Sequence, residues 1–155
     1  NVNPKVITSA INISIAQRLL RKLCPNCKKE ISLEGEQKNL IETTLESIQD
    51  KSYLENLQKS SIWQAVGCDK CNGTGYKGRI GIFEAILIDE SVENVIQENP
   101  SEREIQKATV NQGLLDMKQD GIIKILKGIT SIGELERVID LGEGVYKLEN
   151  KKSNG

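Results

Sequence analysis

Cys24-Pro25-Asn26-Cys27 and Cys68-Asp69-Lys70-Cys71 hold all four cysteines of this chain, in two identical C-x-x-C frames, and the chain has no histidine. A tight turn carrying such a pair presents two thiolates along one edge of a tetrahedral ion, so two pairs together predict an all-sulfur zinc site with Cys24, Cys27, Cys68 and Cys71 as its ligands. The forty residues between the pairs exceed the spacing of an ordinary zinc ribbon. The chain must leave the first knuckle, build something, and return to close the second. A tetracysteine zinc-binding lobe is expected over 24–75.

Other uses of four cysteines fit less well. Two disulfides would suit a secreted protein, but a two-residue gap makes a strained local bridge, and no secretory signal opens the sequence. A thioredoxin-like redox role needs one C-x-x-C at a helix start in a βαβ pattern, whereas two pairs of equal spacing occur here. Four thiolates could hold iron and sulfur, yet nothing resembles the clustered ferredoxin spacings.

With 155 residues, of which 37% are hydrophobic, the chain can bury a core for one ordinary domain or two small ones. Its 21 basic and 22 acidic residues give a formal charge of −1, which offers no bulk attraction to nucleic acid. No apolar run is long enough for a direct membrane span, so membrane association would come through partners, and free cysteines placed for metal fit a reducing cytoplasm. The lack of histidine excludes histidine-based nucleophilic and general-base machinery. No phosphate-cradling G-x-x-x-x-G-K-[ST] occurs. The acidic pairs Asp89-Glu90 and Glu134 with Glu136 sit at helix starts, where they read as solvated terminal charge. No catalytic residue and no cofactor-binding residue other than the cysteines is expected.

Along the chain, Val6, Ile7, Ala10 and Ile11 after Pro4 predict a helix over 4–14. Ile15, Leu19 and Leu23 continue a stripe at every fourth residue, and periodicity alone favours helix there, although Gln17-Arg18-Leu19-Leu20 could equally be a strand. Leu40, Ile41, Leu45, Ile48, Leu54 and Leu57, spaced by charged or amide residues, predict an amphipathic helix pair over 34–58 with a modest core. A short extended return is expected at 62–66. The glycine-rich stretch from Gly67 to Gly75 would let backbone N–H groups turn toward sulfur. Arg79 to Ile88 reads as a strand, ending at the helix-start signal Asp89-Glu90-Ser91. Ser101 with Glu104, after Pro100, and Ser131 with Glu134 read as capping boxes. Gly113 and Gly128 mark helix ends, and Gly121 lies inside a helix where close packing would tolerate it. Three or four short helices are expected over 91–141, and a flexible tail over 142–155.

The segments Ala16-Gln17-Arg18-Leu19-Leu20-Arg21-Lys22-Leu23-Cys24-Pro25-Asn26-Cys27, Gly67 to Cys71, and Thr74-Gly75-Tyr76-Lys77-Gly78-Arg79-Ile80-Gly81-Ile82-Phe83-Glu84 closely resemble the C-terminal end of the type II secretion and type IV pilus assembly ATPases. Gly113 to Gly121, Gly128 to Ser131 and Glu134 to Val138 resemble that family's last helices, so the resemblance covers about 4–141. It implies an α+β fold: the end of a RecA-like P-loop ATPase core, contributed by an antiparallel strand pair from 1–23 and 76–90, with the tetracysteine lobe inserted and a C-terminal helical bundle over 91–141. It also implies that 16–23 is strand. The family's phosphate loop, magnesium-binding acidic motif and histidine and aspartate boxes are absent, so the chain is expected to be the C-terminal piece of a longer motor or a truncated gene product. ATP and Mg2+ would belong to the full-length parent.

The resemblance implies a homohexamer, in which the partners are the rest of the ATPase, neighbouring subunits, and cytoplasmic or inner-membrane assembly-platform proteins. The chain would then work in the cytoplasm, peripheral to the inner face of the membrane, with the zinc lobe as a docking point and the helical end transmitting rotation. Arg18 and Arg79 could serve a neighbouring subunit's phosphates, but structural sheet-edge roles are the expectation. Two alternatives treat the chain as a stand-alone zinc module. Cys68 to Gly75 fits the C-x-x-C-x-G-x-G of a J-domain co-chaperone, although the first pair continues as Lys28-Lys29-Glu30 without glycines. A nucleic-acid-binding zinc ribbon would need a basic, aromatic-bearing face, and only Trp63 and Tyr76 lie near a knuckle.

Overall fold

The computed structural model describes residues 4–98 and 101–141. After α1 (Pro4–Ala10), the spine is an antiparallel ribbon of β1 (Ile13–Leu23) and β4 (Tyr76–Leu87), which sets Ile13 against Leu87, Leu20 against Ile80 and Leu23 against Tyr76. The helical reading of 15–23 is overturned, and the strand implied by resemblance is found. A spacing of four is a multiple of two, so Ile15 and Leu19 share one face of a strand as readily as one face of a helix. β-Branched Ile13 and Ile15, with a long partner strand available, favour the ladder.

Alternation along the ribbon gives it two unlike faces. Leu20 and Ile82 point inward and are fully buried. Ile13, Ile15, Leu19, Phe83 and Leu87 remain 43% to 61% exposed.

Beyond the first knuckle, β2 (Lys29–Ser32) pairs antiparallel with β3 (Ser61–Gln64), so the outgoing and returning legs run side by side. β3 is the expected extended return; β2, with Ile31 as its one apolar residue, carries too little pattern to be seen in the sequence. The expected helix pair is a single helix, α2 (Gly35–Ser47), followed by a 3-10 turn at Lys51–Leu54. The second helix is replaced because Ile48 turns to extended backbone and Asp50 accepts a hydrogen bond from Ser52 N at 2.9 Å, fixing a tight turn.

After β4 come α3 (Glu90–Glu98), α4 (Glu102–Thr109), α5 (Met117–Leu126) and α6 (Ile132–Glu136). Asp89 starts α3, its Oδ1 accepting from Val92 N at 3.0 Å. The two expected capping boxes are half boxes. Ser101 and Ser131 accept from Glu104 N and Glu134 N, but Glu104 turns to Lys107 and Glu134 to the distant Arg21 and the nearby Arg137. A full reciprocal box instead opens α5, between Asp116 and Gln119. Gly121 does lie inside α5, where a Cβ would come 2.5 Å from Leu135 Cδ1, so α5 and α6 meet through its missing side chain. Pro100 and the tail over 142–155 lie outside the described residues. No described helix is long and apolar enough to cross a membrane.

One hydrophobic cluster gathers Leu20 and Ile82 of the ribbon, Leu33, Ile41, Leu45 and Ile62 of the excursion, and Ile122, Ile125 and Leu135 of the last helices. The boundaries expected at 24–75 and 91–141 therefore follow the path of the chain more than its packing. The excursion has no core apart from this one among the described residues.

Ile122 is fully buried within that cluster. Ile122→Ala should lower unfolding free energy by about 2–4 kcal/mol through lost burial and the residual cavity. Chemical denaturation should remain a single transition, with hydrogen exchange accelerating at 33–62 as well as at 117–135.

Candidate metal centre

Cys24 follows directly on Leu23, the last residue of β1, and its carbonyl accepts from Cys27 N and Lys28 N at 3.3 and 3.0 Å, which folds the first knuckle. In the second, Cys68 O accepts from Cys71 N and Gly73 N at 3.1 and 2.9 Å. The two knuckles are joined by Cys24 N donating to Gly75 O at 2.9 Å. Gly75 takes φ +75°, and a Cβ there would lie 2.6 Å from Ala65 Cβ, so conformation and space both require glycine.

These turns bring the four Sγ atoms within 4.8 Å of one another, with Cys24 and Cys71 buried and Cys27 and Cys68 partly exposed. Cys24–Cys68, Cys27–Cys71 and Cys68–Cys71 are separated by 4.0, 3.8 and 3.7 Å. A disulfide would need about 2.05 Å, and all four cysteines are free. The cluster could bind a metal.

The surroundings prepare some of these sulfurs for negative charge. Burial pushes the Cys71 thiol up, but N–H groups of Cys68 and Gly75, each 3.2 Å from its Sγ, outweigh this and bring it to about 6. Backbone hydrogen bonding from Asn26 lowers Cys24. Burial, reinforced by neighbouring sulfurs, pushes Cys27 up to about 12. Four thiols this close cannot all ionise unless a cation compensates the charge.

Glu134 overturns its sequence reading as solvated charge. Its side chain is fully buried and accepts from Arg21 N at 2.9 Å, Arg21 Nε at 2.9 Å and Arg21 Nη2 at 2.6 Å, and from Arg137 Nε at 3.0 Å and Nη2 at 2.8 Å. Burial pushes this carboxyl up; the Arg137 and Arg21 hydrogen bonds overcome that and hold it at about 2. Arg21 also lies 4.3 Å above the Tyr76 ring. Neighbouring Glu136 is half-buried, which pushes its carboxyl up.

Arg18 and Arg79 are both exposed, and neither makes a side-chain hydrogen bond among the described residues. They do not converge. Arg18 pairs with Ile82, whereas Arg79 faces Arg21 across the ribbon and lines a cavity of about 240 Å3 with Leu19, Leu20, Arg21 and Arg137.

An α+β chain with paired knuckles at the root of an antiparallel ribbon matches a known family. Residues 1–137 fit the profile of the type II/IV secretion system proteins, and the chain belongs to that family. Among its relatives, the type II secretion system ATPase E of Vibrio cholerae is 32% identical over 137 residues, covering 88% of this chain and 25% of the relative. The type II secretion system protein E of Aeromonas hydrophila is 34% identical over the same coverage. The type IV pilus assembly ATPase PilB of Pseudomonas aeruginosa is 34% identical over 133 residues, 85% of this chain and 22% of the relative. The chain thus spans about a quarter of these relatives' length.

Removing the buried carboxylate by Glu134→Gln should cost on the order of 2–3 kcal/mol at neutral pH, less than for a fully buried pair because both guanidiniums are partly exposed. An ordinary glutamate titrates near about 4.3 and the folded group at about 2. Its contribution is therefore complete above the ordinary value and lost as pH falls through the folded one. Denaturation from pH 7 to pH 2 should show the gap between wild type and Glu134→Gln narrowing below roughly pH 5.

Proposed function

We propose that Cys24, Cys27, Cys68 and Cys71 hold one structural zinc ion, and that the chain is the zinc-clasped C-terminal part of a hexameric ATPase of type II secretion or type IV pilus assembly. The observation that carries the zinc assignment is the sulfur geometry. Zn–S bonds of about 2.3 Å in a tetrahedron give sulfur–sulfur edges of about 3.8 Å; three of the six sulfur pairs here lie at 3.7–4.0 Å and all six within 4.8 Å. The ion, when bound, supplies positive charge and folding energy. The chain's own residues direct N–H groups at Cys71 and set the two turns.

Residues 1–23 and 76–90 are read as the end of a RecA-like core, 24–75 as the zinc-clasped lobe and 91–141 as a helical subdomain. Support for the core reading comes from the exposed apolar face of the ribbon, which is suited to a further packing layer. ATP and Mg2+ would be held by the larger part that the relatives possess and this sequence does not match. In this part, the lobe and helices serve structure and the docking of neighbouring subunits and assembly-platform proteins, at the cytoplasmic side of the inner membrane. Membership of the secretion family favours this over a co-chaperone-like or nucleic-acid-binding zinc module.

Elemental analysis of the purified chain should give one zinc per chain, with four thiols released on denaturation in chelator. Bound iron, or fewer than four thiols, would overturn the zinc reading. In a phosphate-release assay with magnesium the 155-residue chain alone should show no ATP turnover, since it lacks a phosphate-cradling loop. Turnover abolished by a change within this sequence would place a nucleotide site in it and overturn the docking-part reading.

A further inference from the structure

The corner made by the turn between α5 and α6 and the start of α6, residues 128–134, is tied to both roots of the cysteine clasp. Leu23 N donates to Ile129 O at 2.8 Å, Thr130 Oγ1 to Arg21 O at 2.9 Å, and Lys28 Nζ to Gly128 O at 2.8 Å. Tyr76 OH meets Ser131 Oγ at 2.7 Å, and Arg21 clamps Glu134. Every tie reaches a residue within about one helical turn of Cys24 or just beyond Cys71. Beside its own packing in the hydrophobic cluster through Ile132, the corner is thus tied to chain on either side of the four sulfurs.

We propose that occupancy of the four-thiolate site by a divalent, thiophilic cation and docking of the α5–α6 corner are one coupled equilibrium, so that metal loading fixes the C-terminal helices. This rests on the zinc reading. Lys28, one residue past Cys27, both bonds Gly128 O and sits 4.4 Å over the Trp63 ring. Gly128, at φ +65°, lets that indole close on the corner, since a Cβ there would lie 2.7 Å from Trp63 Cδ1. The protein's own links between the two knuckles include the Cys24 N–Gly75 O bond, a Gly67 backbone hydrogen bond to Cys27, the sulfur contacts and a Lys70–Asn26 contact of 3.4 Å. Loss of the ion would loosen the first knuckle and with it Lys28, which weakens the ties of Lys28 to Gly128 and Trp63 at the corner. Linkage makes the effect reciprocal: loosening the corner must weaken metal binding by the same factor.

The test uses the 155-residue chain with zinc, chelator competition, hydrogen exchange and the fluorescence of Trp63, its sole tryptophan. Stripping the metal should shift Trp63 emission and speed exchange at 128–136 about tenfold, beyond the opening of the knuckles themselves. Lys28→Met and Arg21→Gln, which spare every sulfur, should weaken zinc affinity about tenfold while circular dichroism of the zinc-loaded protein is kept. Lys29→Met, an outward-facing control with the same charge change, should bind as wild type. Unchanged exchange at 128–136 on stripping, or wild-type affinity in both variants, would overturn the coupling while the zinc reading stands. A wild type that binds no zinc would overturn the zinc reading and the coupling with it.

Discussion

Leu23 opposite Tyr76, with Cys24 N bonded to Gly75 O, is the junction on which the rest of the structure depends. Closing a forty-residue excursion carries a loop entropy cost that grows only slowly with length, so the excursion can be large as long as its roots are pinned. The ribbon pins them from one side and the β2–β3 pair from the other. Between these two ladders the sulfurs have little choice of position. The cysteine cluster is in this sense a consequence of strand pairing, and an ion bound there would stabilise a junction that backbone hydrogen bonds also align.

The same junction explains why a carboxylate is buried in α6. An isolated charge at the Glu134 position would carry a desolvation penalty of several kcal/mol, and an apolar residue would leave Arg21 N without its partner. Two guanidiniums and one backbone N–H satisfy both oxygens. The arrangement fixes the rotation of a five-residue helix, which has too few turns to be positioned by apolar packing alone.

How much could be read from the sequence depended on the separation of interacting residues. The cysteine turns were legible because their chemistry lies within four consecutive residues, and so were the β4 strand and the Asp89 helix start. β1 was ambiguous for a geometric reason, since a four-residue stripe satisfies both strand and helix, and resemblance decided it correctly. Glu134 was misread because its partner Arg21 lies 113 positions away, and local pattern gives a glutamate near a helix start the same appearance whether solvated or buried. The shared core was hidden similarly: Ile41 and Ile62 look like the core of a small lobe until Ile122 is found against them.

The ribbon's two outer edges are unequal, and this constrains how the chain can be extended. On β4, Phe83 N donates to Asp120 Oδ2, while Leu87 N and O are both engaged by the Gln112 amide, so α5 and the turn before it cover the edge. On β1, Arg21 and Leu23 are covered by Glu134, Thr130 and Ile129. From Ile13 to Leu19, nothing among the described residues covers the β1 edge. Odd-numbered residues of this stretch turn their N–H and C=O groups outward, because the even-numbered ones exchange with β4. A strand added to this sheet can therefore enter on the β1 side and end where the clasp corner blocks it. The apolar face of Ile13, Ile15 and Leu19 lies along the same open stretch. An uncovered edge and an uncovered face that coincide favour one continuous partner over two unrelated ones, since a single added layer would satisfy both the hydrogen bonds and the apolar surface.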